Sequence, residues 1–335
     1  MNKNIIDEFN NLIFQINYET KYLNNKENTY RLKSISTALS IIKKFNKPLN
    51  KEENIIELSK IKNIGNGTIK RIREINKYGH LKEITLTKDN IKYLKNLLKI
   101  YGIGPSFAFS LLKLKIYTYQ DIIKAVETKK IKINRNIKLG LKYYNLFFEN
   151  IPRSTVKKHK KILNVVLDKL NKQLQDNNII NTEDKLIIKV CGSYRRKEKK
   201  SNDIDCILTL KTEKQYKKIN FLSLFVDELK KVGYVSDEIT QNYQKKFMGF
   251  VKENNKIFRR LDIRYTDYNN YPAALLYFTG NKYFNIFMRQ KAKSNGFKLN
   301  EYGLFKNNKK ISVSSEKDIF KYLGMTYIKS ENRNY

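Results

Sequence analysis

A chain of 335 residues, 41% of them hydrophobic, carries enough apolar material for more than one core, which excludes a disordered chain and suggests two or three domains. Its 68 lysines and arginines against 32 aspartates and glutamates leave a formal net charge of +36, spread along the chain, a field that favours polyanions and nucleic acid first among them. No apolar run reaches the roughly 18 residues of a membrane span, and the first residues, M-N-K-N-I-I-D-E-F-N, lack a signal-peptide core, so an intracellular protein without a membrane partner is expected, in the nucleus, the cytoplasm or a viral replication site.

Ile5, Phe9, Leu12, Ile13 and Ile16 recur at helical spacing, as do Tyr30, Ile35, Leu39, Ile42 and Phe45 before Pro48. Ile55, Ile56 and Leu58 mark a third helix. Ile61 to Ile75 then reads I-K-N-I-G-N-G-T-I-K-R-I-R-E-I, and Ile100 to Ser106 repeats the idea as I-Y-G-I-G-P-S. Each places a tight turn between two helices, with Gly65 and Gly67 in the first copy and Gly102 and Gly104 in the second. Both resemble the helix-hairpin-helix DNA-binding element. Glycine lets the backbone come close to a phosphate, and the helix that follows offers free N–H groups to the anion. Asn63 stands where the first glycine of the element is usual, and asparagine tolerates a positive φ. Two such turns trailed by lysine and arginine predict contact with the DNA backbone rather than with bases.

Helical patterning continues through Leu94, Leu97, Leu98, Leu111, Leu112, Ile122 and Ile123 up to Ile151-Pro152. A further helix is expected from Val156 to Leu174, with Ile162, Val165, Val166 and Leu170 as its apolar positions. From Leu186 the pattern turns to alternating strands and helices, so a helical front half precedes a mixed back half.

The stretch from Lys185 to Leu210 carries the chemistry. An apolar run breaks at Gly192-Ser193, a basic segment follows, and a second run alternates Asp203 and Asp205 with Ile204, Cys206 and Leu208. On a strand the two aspartates share a face, where they repel unless a cation sits between them. The two cysteines, Cys191 and Cys206, each lie in an apolar run and read as packing in a reducing compartment. A third carboxylate comes from Arg259 to Arg264, a strand pattern with Arg260, Asp262 and Arg264 on one face. Three carboxylates suit two Mg²⁺ ions, which prefer oxygen ligands and share them with substrate phosphates. Gly192, Ser193 and Arg196 suit a triphosphate. Tyr277, Phe278 and Gly280 read as a turn that walls a sugar, and Asn285 and Arg289, four apart on one helical face, can reach base edges in a minor groove.

Together, Y-G-I-G-P-S, L-G-L-K-Y-Y, I-P-R, C-G-S-Y-R-R, D-I-D, R-R-L-D-I-R, L-Y-F-T-G, G-F-K-L-N-E-Y and S-E-K-D-I-F resemble family X of the DNA polymerases over nearly the whole chain. The resemblance implies a multidomain α+β protein. An all-α N-terminal half with two helix-hairpin-helix elements precedes a nucleotidyltransferase palm, a mixed β-sheet with helices, and a small C-terminal α/β subdomain. The expected divisions are 1–83, 84–150, 151–264 and 265–335. It implies Mg²⁺ on Asp203, Asp205 and Asp262, with Mn²⁺ able to substitute, and Asp262 as acceptor of the primer 3′-OH proton. Triphosphate contacts fall on Ser193, Arg196 and Ser201, and nucleotide contacts on Tyr277, Phe278, Gly280, Asn285 and Arg289. Arg260, Arg264, Glu301 and Tyr302 match a switching and primer-positioning network. A monovalent cation, Na⁺ or K⁺, is implied at the backbone carbonyls near Ile61, Ile64, Ile100 and Ile103. The implied partners are gapped or nicked duplex DNA and a dNTP, met by a monomer that fills short gaps in base excision repair.

The chain departs from the family at several positions. Asn202 replaces a glycine, Asn150 an arginine and Lys282 an acidic residue. The family's N-terminal domain also cleaves a 5′-deoxyribose phosphate through a Schiff-base lysine. Here Arg71 holds that position, and a guanidinium forms no imine readily, so such a lyase would fall to Lys70. The 5′-phosphate pocket is partly kept as Lys26 and Tyr30, with Gly67 in place of a lysine. Two other readings stay open: a template-independent or RNA-directed nucleotidyltransferase, and a non-catalytic scaffold that uses only the hairpins.

Overall fold

The computed structural model describes residues 2–22, 28–212, 214, 216, 219–254 and 257–334, leaving aside the side chains of residues 18, 21, 22 and 88. Lys26, one of the DNA-contact candidates, lies outside them. The chain divides into two compact units, residues 1–142 and 143–335.

The first unit is helical: α1 (Lys3–Tyr22), α2 (Asn28–Lys44), α3 (Glu52–Ser59), α4 (Asn66–Tyr78), α5 (Lys88–Leu97), α6 (Pro105–Lys113), α7 (Tyr119–Glu127) and α8 (Arg135–Lys142). Ile5, Phe9, Leu12 and Ile16 of α1 meet Ile35, Leu39 and Ile42 of α2, Ile55 and Leu58 of α3, and Ile69, Ile72 and Ile75 of α4 in one core. Spacing predicted these stripes, although Tyr30 and Ile56 turn out exposed and Ile13 and Phe45 only partly buried. The two hairpin turns share a backbone device. Asn63 (φ 73°) and Gly102 (φ 85°) both take the left-handed conformation, and the Ile64 and Ile103 amides donate to the carbonyls of Ile61 and Ile100, each at 3.1 Å. The second turn rests on α8, where Gly140 lies so close to the Tyr101 backbone that a methyl group would overlap its carbonyl. This is why L-G-L-K carries a glycine within a helix, where one otherwise costs about 1 kcal/mol against alanine.

The second unit opens with β1 (Ile151–Pro152) and α9 (Arg153–Asp176), followed by β2 (Leu186–Val190), α10 (Gly192–Arg195), β3 (Lys200–Ser201), β4 (Ile204–Leu210), α11 (Phe221–Lys231), β5 (Val235–Glu238), β6 (Lys246–Lys252) and β7 (Phe258–Tyr265). β1 pairs with β3, and the other strands form a sheet in the order β2-β4-β7-β6-β5. β4 and β7 run parallel; the remaining pairs are antiparallel. Residues of α9 and α11 pack with Ile188, Ile204, Cys206, Leu208, Leu261 and Ile263 of the sheet in one core. The phase of α9 differs from the expected one. Val156, Leu163, Val166, Leu167, Leu170 and Leu174 are buried, whereas Val165 is 69% and Ile162 37% exposed. The buried set repeats at three and four residues, which puts its neighbours Ile162 and Val165 one step round the helix.

The chain continues as α12 (Tyr271–Thr279), α13 (Lys282–Ser294), β8 (Phe297–Asn300), β9 (Gly303–Lys306), β10 (Lys309–Ile311) and α14 (Glu316–Tyr322). The strands form a small antiparallel sheet, and Leu276, Phe284, Met288, Leu304, Ile319 and Phe320 share a second core. Tyr277 and Phe278, expected at a turn, lie in the last turn of α12, and Gly280 ends that helix with φ 60°. Ala273, Ala274 and Leu276 are buried, and that apolar face holds the segment helical up to the glycine.

Candidate active site

The site grows from the one parallel pair in the sheet. β4 and β7 align so that Asp205 lies beside Asp262, while Ile204 faces Leu261 and Cys206 faces Ile263 in the core. Alternation then sends both carboxylates to the opposite side. Asp203 precedes β4 in a bend rather than sitting within the strand as expected, yet it joins the cluster. The three side chains each offer an oxygen within 4.8 Å of the others. Among the described residues, no other group of three or more His, Cys, Asp or Glu side chains comes so close.

Crowded carboxylates need a cation, and Arg260 partly serves. Its guanidinium pairs with Asp203 and lies 3.5 Å from Asp262 Oδ1, which is buried without a hydrogen-bond partner. Burial, and then the charge of Asp262, push the Asp205 carboxyl up to about 7, against the pull of Arg196. Burial also raises Asp262, against Arg260 and Lys246. Oxygen ligands, an orphaned carboxylate oxygen and unrelieved repulsion fit a hard divalent cation such as Mg²⁺.

Gly192 opens α10 with φ 53°, and a Cβ there would overlap the Asp205 carboxylate, so only glycine lets the turn lie this close. The Cys191 amide donates to the Asp205 carbonyl at 2.7 Å and ties the turn to β4. Ser193 Oγ donates to Ser201 Oγ of β3 at 2.7 Å. Arg196 donates from Nη1 to the Thr279 carbonyl at 2.7 Å, and from Nε to Asn334 Oδ1 at 2.8 Å. Cys191 and Cys206 are buried free thiols, as their apolar runs implied.

On the other flank, Asn285 donates to the Tyr277 carbonyl at 2.8 Å, and the Arg289 guanidinium lies 5.0 Å from the Tyr277 ring. Tyr277 and Phe278 meet edge to face at 5.2 Å. Arg289 also approaches Glu301 at 3.6 Å, and Arg264 of β7 donates to the Tyr302 hydroxyl at 3.1 Å. These contacts gather residues from 264 to 302 around the end of α12.

Three domain models match in succession. The fingers domain of DNA polymerase lambda covers residues 95–147, the DNA polymerase beta palm 150–268, and the DNA polymerase beta thumb 274–334. The chain belongs to family X of the DNA polymerases. It is 26% identical to DNA polymerase lambda of Rattus norvegicus over 334 residues, 94% of this chain and 54% of that protein. It is also 26% identical to DNA polymerase lambda of Arabidopsis thaliana, over 89% of this chain and 56% of that one. A DNA nucleotidylexotransferase of Xenopus laevis is 23% identical over 92% of this chain and 65% of its own length. The chain spans about half the length of the two lambda relatives.

For this family X chain the helical unit presents its candidates separately. Tyr30 is 85% exposed, and Gly65, Gly67, Gly102 and Gly104 lie exposed at the starts of α4 and α6. Arg71 is paired with Glu83, which also takes Arg31 at 2.5 Å, so its guanidinium holds the fold of this unit together. Lys70 beside it is exposed, without the burial that activates a Schiff-base amine. Asn150, Asn202 and Lys282, the departures from the family pattern, are all exposed.

One group went unforeseen. Arg195, Glu316 and Arg333 form a buried ion cluster, with Glu316 taking both arginines at 2.6 to 2.9 Å. Ser315 and Asp318 form a capping box that the S-E-K-D spacing signals, but nothing local marks Glu316 as buried.

Because folding raises the Asp205 pKa, the metal-free fold benefits from a protonated Asp205 at low pH and loses that benefit as pH rises through about 7. A cation bound there displaces the proton. Stabilisation by Mg²⁺ in thermal melting is therefore expected to be several degrees larger at about pH 8 than at about pH 5.5. Equal shifts at the two pH values would contradict this reading.

Proposed function

We propose that the chain is a DNA-directed DNA polymerase that fills short gaps, transferring a nucleotide from a dNTP to a primer 3′-OH. The observation that carries this is the alignment of Asp205 with Asp262 on adjacent parallel strands, with Asp203 beside them. The three carboxylates would hold two Mg²⁺ ions, or Mn²⁺, which when bound neutralise phosphate charge and favour the alkoxide form of the attacking oxygen. Asp262, with an unpartnered oxygen and a raised pKa, is the acceptor for the 3′-OH proton. Ser193 and Arg196, on a turn that glycine brings against Asp205, hold the triphosphate. Tyr277 and Phe278 flank the sugar, and Asn285 and Arg289 face the minor groove of the new pair, which implies a paired template. The hairpin turns grip the backbone of gapped or nicked DNA in repair of short gaps, and the Ile61 and Ile100 carbonyls each keep a lone pair for a monovalent cation.

A one-nucleotide gapped duplex offered with and without template and Mg²⁺ tests this. Mg²⁺-dependent addition of the templated base is expected. Failure to extend any gapped primer would overturn the proposal. Equal addition to a primer without template would favour the second reading, which the similarity to a DNA nucleotidylexotransferase motivates. The exposure of Lys70 and the pairing of Arg71 with Glu83 give a 5′-deoxyribose-phosphate lyase no support, and we leave it out of the proposed activity.

A further inference from the structure

We infer that residues 331–334 form a strap that positions Arg196 for the triphosphate, with Asn334 as the positioning residue. This rests on the reading of Arg196 as a triphosphate ligand. Arg196, at the end of the α10 turn, reaches two other parts of the fold at once. Its Nη1 donates to the Thr279 carbonyl at the end of α12, and its Nε donates to Asn334. The last carbonyls of a helix lack intrahelical partners and carry its partial negative charge, so a cation is well placed there. Arg195 makes the matching contact, pairing with the Thr279 hydroxyl, which itself donates to the Leu275 carbonyl. The two consecutive arginines thus clasp the end of the helix that carries Tyr277 and Phe278.

Asn334 can orient Arg196 only if it is itself fixed, and the residues around it supply that. Arg333 is fully buried. It donates to Glu316 at 2.7 Å and to the Ile328 carbonyl at 3.0 Å, and its guanidinium lies 5.2 to 5.6 Å from the rings of Phe284, Phe320 and Tyr327. Its carbonyl accepts from the Asn281 amide at 3.2 Å, just past the end of α12. Glu331 pairs with Lys197, the residue after Arg196, at 3.0 Å. The strap is therefore pinned on both sides of the Arg196 loop, and Asn334 is exposed at its end with one acceptor aimed at Nε.

The consequence is a fork whose orientation is set before a ligand arrives. Among the described residues, two of the five guanidinium N–H groups are engaged with the protein, and three stay available to phosphate oxygens. A side chain ordered in advance loses less freedom on binding, which is how preorganisation raises affinity without adding a ligand contact. Asn334 acts through Arg196, so its effect must disappear when Arg196 is gone.

The test is equilibrium binding of a dNTP with Mg²⁺ to a one-nucleotide gap whose primer ends in a dideoxynucleotide, in wild type, Asn334→Ala, Arg196→Ala and the double variant. Asn334→Ala is expected to weaken dNTP binding about fivefold to tenfold, within the net range for an ordinary protein hydrogen bond, as suits an exposed residue, with gapped-DNA affinity and melting temperature unchanged. In the Arg196→Ala background the same replacement is expected to add nothing, a non-additivity that a merely structural residue would not show. Wild-type affinity in Asn334→Ala overturns the strap, as does an undiminished loss in the double variant. If wild type binds the dNTP in this assay but does not extend the same gap carrying an ordinary 3′-OH primer, the polymerase reading fails, and the variant affinities alone decide the strap. If wild type binds no dNTP, both fail.

Discussion

Asp262→Ala is expected to lower Mg²⁺-dependent extension of a gapped primer by at least about 10³-fold, the upper end of what removing one fixed electrostatic group costs an enzyme. Two roles vanish together, since Asp262 both completes the carboxylate cluster and accepts the 3′-OH proton in the proposed reaction. The same replacement is not expected to unfold the protein. Burial raises the Asp262 pKa, so its charge is held in the fold at a cost, and its like-charged neighbour Asp205 is relieved when it leaves. Arg260 keeps Asp203 as a partner. Melting without metal should therefore be unchanged or slightly higher, while the Mg²⁺-dependent rise shrinks. Such a trade of stability for chemistry is usual where like charges are gathered for function. Extension within tenfold of wild type would remove Asp262 from the mechanism, and a large fall in melting temperature would mean that its role is structural.

Much of this site could be read along the chain, because its signals are local. The D-x-D spacing, the Gly192-Ser193 break and the R-R-L-D-I-R alternation each lie within one element or turn. What joined them could not be read locally. The pairing of Asp205 with Asp262 is a parallel register between strands with two antiparallel strands and a helix between them in sequence. Only tertiary packing sets such a register. The phase of α9 shows the same limit. Val165 and Val166 are equally apolar, and only the sheet beneath decides that Val166 is buried and Val165 is not. Gly140 read as part of a family pattern, but its physical reason, the Tyr101 carbonyl against its Cα, belongs to a contact between α8 and a turn far upstream. Arg195 and Arg196 look interchangeable in the sequence. In the fold one turns to the buried Glu316 and the other to the Thr279 carbonyl and Asn334.

Glu316→Ala is expected to lower the melting temperature of the 143–335 unit by roughly 10 °C. Glu316 is 6% exposed and accepts from Arg195 Nη1 at 2.9 Å, Arg195 Nη2 at 2.6 Å and Arg333 Nη1 at 2.7 Å. Burial alone would raise its pKa, but the hydrogen bonds from Arg195 and Arg333 overcome it and hold the carboxyl below its ordinary range. The charged form is thus the one the fold needs. Its contribution is present above the ordinary carboxylate value of 4.5 and is lost as pH falls below that. Removing the carboxylate leaves two guanidinium groups with a shared partner gone, one of them in a fully buried side chain. Breaking a buried pair in this way costs about 3–5 kcal/mol, because the stranded charge cannot return to water. The rings of Phe284, Phe320 and Tyr327 around Arg333 offset part of this, since a cation over an aromatic face is worth about 0.5–2 kcal/mol. The stranded charges win. Joint replacement of Glu316 and Arg333 by leucine and methionine should recover part of the loss, because it removes the buried charge together with its partner. A fall under about 2 °C for Glu316→Ala would show that water reaches the cluster and that the ion network does not hold α14 to the α10 turn.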